Sequence, residues 1–239
     1  MGSRPDALTA AIDAAWRVFD MPAPADLGVC TACCMDPALA QEILATPARR
    51  LEARHLEEWL AAAYAPAPYA DNMAWLLPRI FELLADGSQV SHLGPEVVLA
   101  RLPLNGFPTA YSQAAVAAVH SFCLALLEVK LAQRDTTLDA WLCMIAKSGL
   151  DITPFLDRIW ALPDAELVAL LHSNWIAPWR EGWLVLSAFW EDVPARHQLW
   201  QWYTSDALLD RLTRAMLAGS EPAVGLYDLI VAARENPAP

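Results

Sequence analysis

Three of the five cysteines in this chain fall within five consecutive positions. Cys30, Cys33 and Cys34 lie in loop 22–36, which is too rich in proline and glycine for regular structure. The two-residue gap between Cys30 and Cys33 lets both thiolates reach one tetrahedral zinc ion. The loop is therefore a candidate metal site for zinc, with Cys34 as a further ligand.

Two other interpretations of the same cysteines stay open. A structural zinc site needs a fourth ligand, and the chain has no second Cys-x-x-Cys pair; His55, Asp36 or a water would have to supply it. Closely spaced thiols can also have lowered pKa values and form labile disulfides, which would make the loop a redox site. Alternatively, the cysteines pack as small reduced apolar residues, as is usual in cytosolic proteins.

Motifs for the common catalytic chemistries are missing, so the sequence favours a protein that is not an enzyme. Glu52 and His55 have the Glu-x-x-His spacing of di-iron proteins, but no second such motif occurs, and a solvated helix face explains the pair better. There is no Gly-x-Ser-x-Gly elbow, phosphate loop or dinucleotide fingerprint. The polar run 172–174 could line a pocket.

Tryptophan is unusually abundant, with 11 residues. Trp175, Trp179 and Trp183 surround a turn at Pro178, where exposed rings would form an interaction surface. The alternative is that large rings fill gaps between short helices, since tryptophan is usually well buried.

The elements that must position these residues are predicted to be helices. Apolar residues recur at three- and four-residue spacings, and alanine and leucine outnumber β-branched residues. We predict an all-α fold, an irregular stack of antiparallel helix pairs that is either a HEAT-like α-solenoid or a helical bundle, in a single domain over 1–239. Predicted helices include one that starts at Asp36-Pro37, a core helix over 109–133, and one over 183–190.

Composition limits the partners. The 16 basic and 28 acidic side chains give a net charge of −12, which would repel nucleic acid. The longest apolar run, 114–127, is shorter than the roughly 18–20 residues of a membrane-spanning helix, and the first residues lack an export signal. We therefore expect a cytoplasmic protein without a membrane partner.

Several segments resemble a family of uncharacterised bacterial proteins. They are the cluster 30–34, the Leu-Pro-Arg helix at 75–83, the segment 95–102 with Glu-Val-Val-Leu, and the Trp-rich helix pairs near the C-terminus. The family has a tighter Cys-Pro-Cys-Cys cluster, so the spacing here departs from it. The resemblance implies a single helical domain and brings no known activity.

These observations lead to two main functional hypotheses, beside a third, an enzyme with an unfamiliar site near Glu52, His55 and Arg79, for which the sequence has no motif. The first is a non-catalytic helical binding or scaffold protein that acts through protein–protein contacts, with a protein partner or by self-association, because an apolar content of 56% can be covered in a homodimer. The second is a metal-binding or thiol-redox protein that uses Cys30, Cys33 and Cys34.

Overall fold

The computed structural model of the chain describes residues 5–64, 70–175, 179–180, 183–184 and 188–235. Within these ranges the fold is all-α, as predicted. The α-helices are α1 (Asp6–Val18), α2 (Pro37–Ala45), α3 (Ala53–Ala61), α4 (Ala70–Ala85), α5 (Gln113–Ala132), α6 (Leu138–Lys147), α7 (Thr153–Trp160), α8 (Asp164–Trp175), α9 (Arg196–Tyr203), α10 (Asp206–Leu217) and α11 (Glu221–Glu235). A HEAT-like arrangement stays a prediction.

Helix starts follow local capping chemistry. The Asp36 carboxylate accepts a 2.8 Å hydrogen bond from the Ala38 amide, and Pro37 opens α2 without losing a bond, as the sequence predicts. The Ser205 hydroxyl oxygen likewise accepts from the Leu208 amide at the start of α10, at 3.2 Å. Each cap satisfies one of the amides that a first helical turn leaves free.

The predicted helix over 183–190 is wrong. Strands β1 (Trp179–Arg180) and β2 (Trp183–Leu184) pair antiparallel there, and a single 3-10 turn covers Ala188–Trp190. Aromatic residues suit strands as well as helices, and so short an apolar run has no periodicity that distinguishes the two. The Trp190 ring is buried, and its Nε1 donates a 3.1 Å hydrogen bond to Asp139.

Packing within the chain defines two compact units. The first comprises residues 1–129 and 147–150, and the second comprises 130–146 and 151–239. The prediction of a single domain over 1–239 stays a prediction. Each unit has its own buried side chains.

The core of the first unit includes an aromatic pair that joins α4 to α5. The rings of Phe81 and Phe122 stack with their centroids 3.7 Å apart, and both side chains are fully buried. Helix α1 packs on α4, and Trp16 Nε1 donates a 2.8 Å hydrogen bond to Glu82. Burial of one such large apolar side chain contributes roughly 1.5–3 kcal/mol.

Helix α5 passes a test of length and composition for a membrane span, the single one in the described part of the chain to do so. Of its most apolar 18-residue window, 44% is buried inside the protein, with Val119 and Phe122 fully enclosed. Core helices of soluble proteins pass the same test, and the burial fits the predicted core helix.

Buried polar side chains join the helices of the second unit. The Asn174 side chain on α8 accepts a 2.8 Å hydrogen bond from the Leu138 amide and donates to the Leu170 carbonyl at 3.0 Å. It thereby satisfies a free amide at the start of α6. Arg211 on α10 donates from Nε to Asp164 at 2.7 Å and from Nη2 to the Leu162 carbonyl at 2.6 Å.

Candidate metal centre in the cysteine loop

Main-chain contacts hold the cysteine loop against the end of α3. The Cys30 amide donates a 2.7 Å hydrogen bond to the Ala63 carbonyl, and Val29 forms an antiparallel β-bridge with Tyr64. The indole of Trp59, on α3 and 1% exposed, donates a 3.0 Å hydrogen bond to the Leu27 carbonyl. These contacts hold the loop backbone at Leu27, Val29 and Cys30, although the loop contains no helix or strand of its own.

The three cysteine sulfurs converge on one point at the surface. The Sγ atoms of Cys30 and Cys33 are 3.6 Å apart, those of Cys33 and Cys34 are 3.5 Å apart, and all three lie within 4.8 Å of one another. A tetrahedral zinc ion with Zn–S bonds of about 2.3 Å separates its sulfurs by roughly 3.8 Å. The observed spacing is close to that value, so the three thiols could hold a metal ion.

Hydrogen bonds within the cluster change the pKa values of two thiols in opposite directions. Hydrogen bonds from the backbone amides of Cys33 and Ala32, together with the Cys33 thiol, lower the pKa of Cys30 from 9.0 to about 7. The pKa of Cys33 is raised from 9.0 to about 11 by its side-chain hydrogen bonds with Cys34 and Cys30 and by the negative charge that these two thiols carry when ionised. At neutral pH the cluster therefore contains one thiol that ionises readily and one that keeps its proton.

The structure places His55 apart from this cluster. Its Nδ1 accepts a 2.9 Å hydrogen bond from the Glu52 amide, and its Nε2 lies 2.9 Å from a carboxylate oxygen of Glu42. Since Nδ1 accepts, Nε2 carries the proton and donates. The side chain is 3% exposed, so the expected solvated helix face is wrong for His55, which instead caps α3. Both of its ring nitrogens are already engaged.

Asp36, the other side chain proposed as a fourth ligand, also has a structural role. Asp36 caps α2 through its carboxylate. Among the described residues, the set of histidine, cysteine and acidic side chains close enough to share one ion with this loop contains only Cys30, Cys33 and Cys34. Within the part of the chain that the structure describes, the three cysteines thus leave the fourth ligand position of a tetrahedral ion to another group, such as a water molecule.

A buried arginine supports the end of α3 beneath the loop. Arg101, 5% exposed, donates from Nη2 to the carbonyls of Leu60 and Ala62 at 3.0 and 2.7 Å. Its guanidinium lies 4.2 Å from the Trp59 ring centroid and 4.3 Å from that of Tyr64. Sequence reasoning missed this residue, although it falls within the segment 95–102 that carried the family resemblance.

The remaining predicted residues fall into two groups. Cys123 and Cys143 are buried in α5 and α6, as the sequence predicts, and burial raises the pKa of Cys123 to about 12. The proposed interaction surface of Trp175, Trp179 and Trp183 lies outside the residues whose side chains the structure describes. It stays a prediction.

Comparison of the chain with known protein families, with characterised proteins and with solved structures finds no match. The resemblance to a bacterial family therefore stays a prediction.

Proposed function

We propose that this protein binds one zinc ion, or a similarly thiophilic ion, through the thiolates of Cys30, Cys33 and Cys34. The single observation that carries the proposal is the convergence of three Sγ atoms within 4.8 Å of one another. Thiolates are the ligands that zinc and other soft ions prefer in proteins. The proposed role is ion binding without catalysis, in the cytoplasm, where thiols remain reduced.

Three properties of the loop support binding. Sulfur spacings of 3.5 and 3.6 Å need little adjustment to fit a tetrahedral ion. The lowered pKa of Cys30, about 7, supplies one thiolate near neutral pH. The exposure of Cys33 and Cys34 gives an ion direct access from solvent. Three protein ligands would leave a fourth coordination position for water or for a ligand from a partner.

A second candidate function is thiol–disulfide exchange by Cys30 and Cys33, favoured by their opposite pKa shifts. The Cys30 thiolate would attack a disulfide substrate and displace one thiolate, which takes up a proton. Cys33 would then lose its proton and attack Cys30, releasing the second thiol. The products are a Cys30–Cys33 disulfide and two substrate thiols, so two electrons pass to the substrate.

Titration with Co²⁺ under reducing conditions tests the first proposal. Cobalt bound to thiolates gives a sulfur-to-metal charge-transfer absorption, and zinc should displace it. We expect saturation at one ion per chain and a large loss of affinity in Cys30→Ser, Cys33→Ser and Cys34→Ser. Absence of a charge-transfer band in the wild-type protein would contradict metal binding.

The variant Cys34→Ser separates the two candidates. Metal binding uses all three thiols, so this variant should lose it. Disulfide exchange needs only Cys30 and Cys33, so the same variant should still form one intramolecular disulfide when mixed with an oxidised small-molecule disulfide. Cys143→Ser, which changes a buried cysteine outside the loop, is the control for both measurements.

A further inference from the structure

The second unit contains a cavity of about 400 Å³ beside the end of α5. Most of its wall is apolar, and three polar side chains interrupt it. The lining residues are Leu131, Arg134, Leu162, Ala165, Glu166, Ala169, Leu170 and Ser173. None of them belongs to the cysteine loop, so the cavity is independent of the proposed metal site. Its volume suits a small organic molecule.

The backbone at Arg134 is unusual for an arginine. Helix α4 ends with Gly87 at φ 76°, and α10 ends with Gly219 at φ 90°, each in the left-handed region. Helix α5 ends with the same hydrogen-bond pattern: the Arg134 amide donates to Leu131 at 3.0 Å, and the next amide donates to Lys130 at 3.0 Å. Here, however, the left-handed residue is Arg134, at φ 54°.

An L side chain is strained in this conformation, and glycine is the residue that such helix ends favour. Arg134 is the single non-glycine residue with a positive φ in the described part of the chain. Strain of this kind persists at functional sites, where the side chain is needed for another reason. The position of Arg134 in the cavity wall offers such a reason.

The charges of the cavity are not used within the protein. Arg134 and Glu166 are both exposed to solvent at this cavity, and among the described residues their side chains form neither an ion pair nor a hydrogen bond, whereas the Ser173 hydroxyl donates to the Leu170 carbonyl at 2.9 Å. The cavity therefore presents one free cation and one free anion on an otherwise apolar wall. A ligand that complements it carries both charges and an apolar group.

We propose that this cavity binds a small zwitterion with an apolar side chain, of the chemical class of free apolar α-amino acids. The ligand carboxylate would pair with the Arg134 guanidinium, and its ammonium group with the Glu166 carboxylate. The apolar side chain would lie against the leucine and alanine side chains. A bidentate guanidinium–carboxylate pair supplies the strongest polar contact of this complex.

Isothermal titration calorimetry with three matched probes tests the proposal. L-Phenylalanine carries both charges, 3-phenylpropanoate lacks the ammonium group, and 2-phenylethylamine lacks the carboxylate. We expect saturable binding of L-phenylalanine at one site per chain. Each single-charge probe should bind at least about tenfold more weakly, because a hydrogen bond to a charged group is lost.

Two variants assign the contacts. Arg134→Gly should weaken L-phenylalanine binding at least about tenfold and leave the melting temperature unchanged or raised, because glycine relieves the backbone strain. Glu166→Gln should weaken binding by a similar factor. Arg214→Gln changes an exposed arginine of the same unit that does not line the cavity, and it should bind like the wild type.

Three binding results would overturn the inference, and one stability result would do so as well. They are no saturable binding of L-phenylalanine at millimolar concentration, equal binding of the three probes, and unchanged binding by Arg134→Gly. A lowered melting temperature in Arg134→Gly would also contradict it, since Arg134 would then be held in place by a structural role.

Discussion

Arg101 donates a 2.7 Å hydrogen bond to the carbonyl oxygen of Ala62, one residue before the carbonyl that holds the Cys30 amide. The same guanidinium faces the ring of Trp59, whose indole donates to the Leu27 carbonyl of the cysteine loop. The end of α3 thus connects a buried cation to the backbone of the loop. The backbone of the loop at Leu27 and Cys30 is thus held by residues far from it in sequence.

Replacement of Arg101 by methionine tests this connection. Arg101→Met leaves the carbonyls of Leu60 and Ala62 without their donor, and we expect a loss of about 1–3 kcal/mol in the free energy of unfolding. The expected loss of stability is limited because the arginine itself carries a cost. Its Nη1 is buried without a hydrogen-bond partner in the described part of the chain, and methionine removes that unpaired donor. Urea unfolding monitored by tryptophan fluorescence measures the change in the free energy of unfolding. Arg17→Met on the exposed side of α1 is the control, and equal stability of the two variants would contradict the assignment.

Metal affinity should rise with pH. The pKa of Cys33 is about 11, so its thiol must release a proton when an ion binds anywhere below that pH. Between neutral pH and moderately alkaline pH, this thiol alone should raise the apparent affinity by about tenfold per pH unit. Competition with a chromophoric chelator at a series of pH values measures the slope. An affinity independent of pH would show that Cys33 is not a ligand.

Thiol reactivity should differ between the loop and the core. In the reduced protein from which a chelator has removed any metal, Cys30, with a pKa of about 7, should react with iodoacetamide faster than Cys33 at neutral pH, because the thiolate is the nucleophile. Its rate should increase as pH rises through about 7 and then level off. Cys123 should stay unmodified until the protein unfolds, since it is fully buried. Peptide mass spectrometry over time gives these rates, and equal labelling of Cys30 and Cys123 would contradict the account.

Arg211 should contribute more to stability than its neighbour Arg214. Arg211 is 8% exposed and donates to Asp164 and to two backbone carbonyls, whereas the Arg214 guanidinium is largely exposed and lies 3.6 Å from the same carboxylate. Arg211→Met should therefore cost about 2–4 kcal/mol. Arg214→Met should cost no more than about 1 kcal/mol. Urea unfolding of both variants measures the two losses of stability. A larger loss for Arg214→Met than for Arg211→Met would contradict the prediction.

Elements controlled by local chemistry could be predicted from sequence. The predicted start of α2 at Asp36-Pro37 is confirmed, and the core helix predicted over 109–133 is α5 (Gln113–Ala132), because caps and apolar spacing act within a few residues. The segment 183–190 was mispredicted as a helix because short aromatic runs take their conformation from tertiary contacts.

The candidate site could likewise be predicted from the sequence only in part. Its ligands were predictable, since the spacing of Cys30, Cys33 and Cys34 brings their sulfurs together locally. The support from Trp59 and Arg101 was not, because these residues are distant in sequence and carry no metal-binding motif. His55 shows the opposite error: its spacing from Glu52 suggested a metal ligand or a solvated face, and the fold uses it to cap α3.

Elemental analysis of the purified, untagged protein, prepared under reducing conditions, tests the proposed metal site most directly. The account predicts about one zinc ion per chain in the wild type and in Cys143→Ser, and none in Cys30→Ser, Cys33→Ser or Cys34→Ser. A free-thiol count on the same samples should show the loop cysteines protected until a chelator is added. A wild-type protein that carries no metal, takes up none from added zinc and exposes three freely reactive thiols would contradict the proposal.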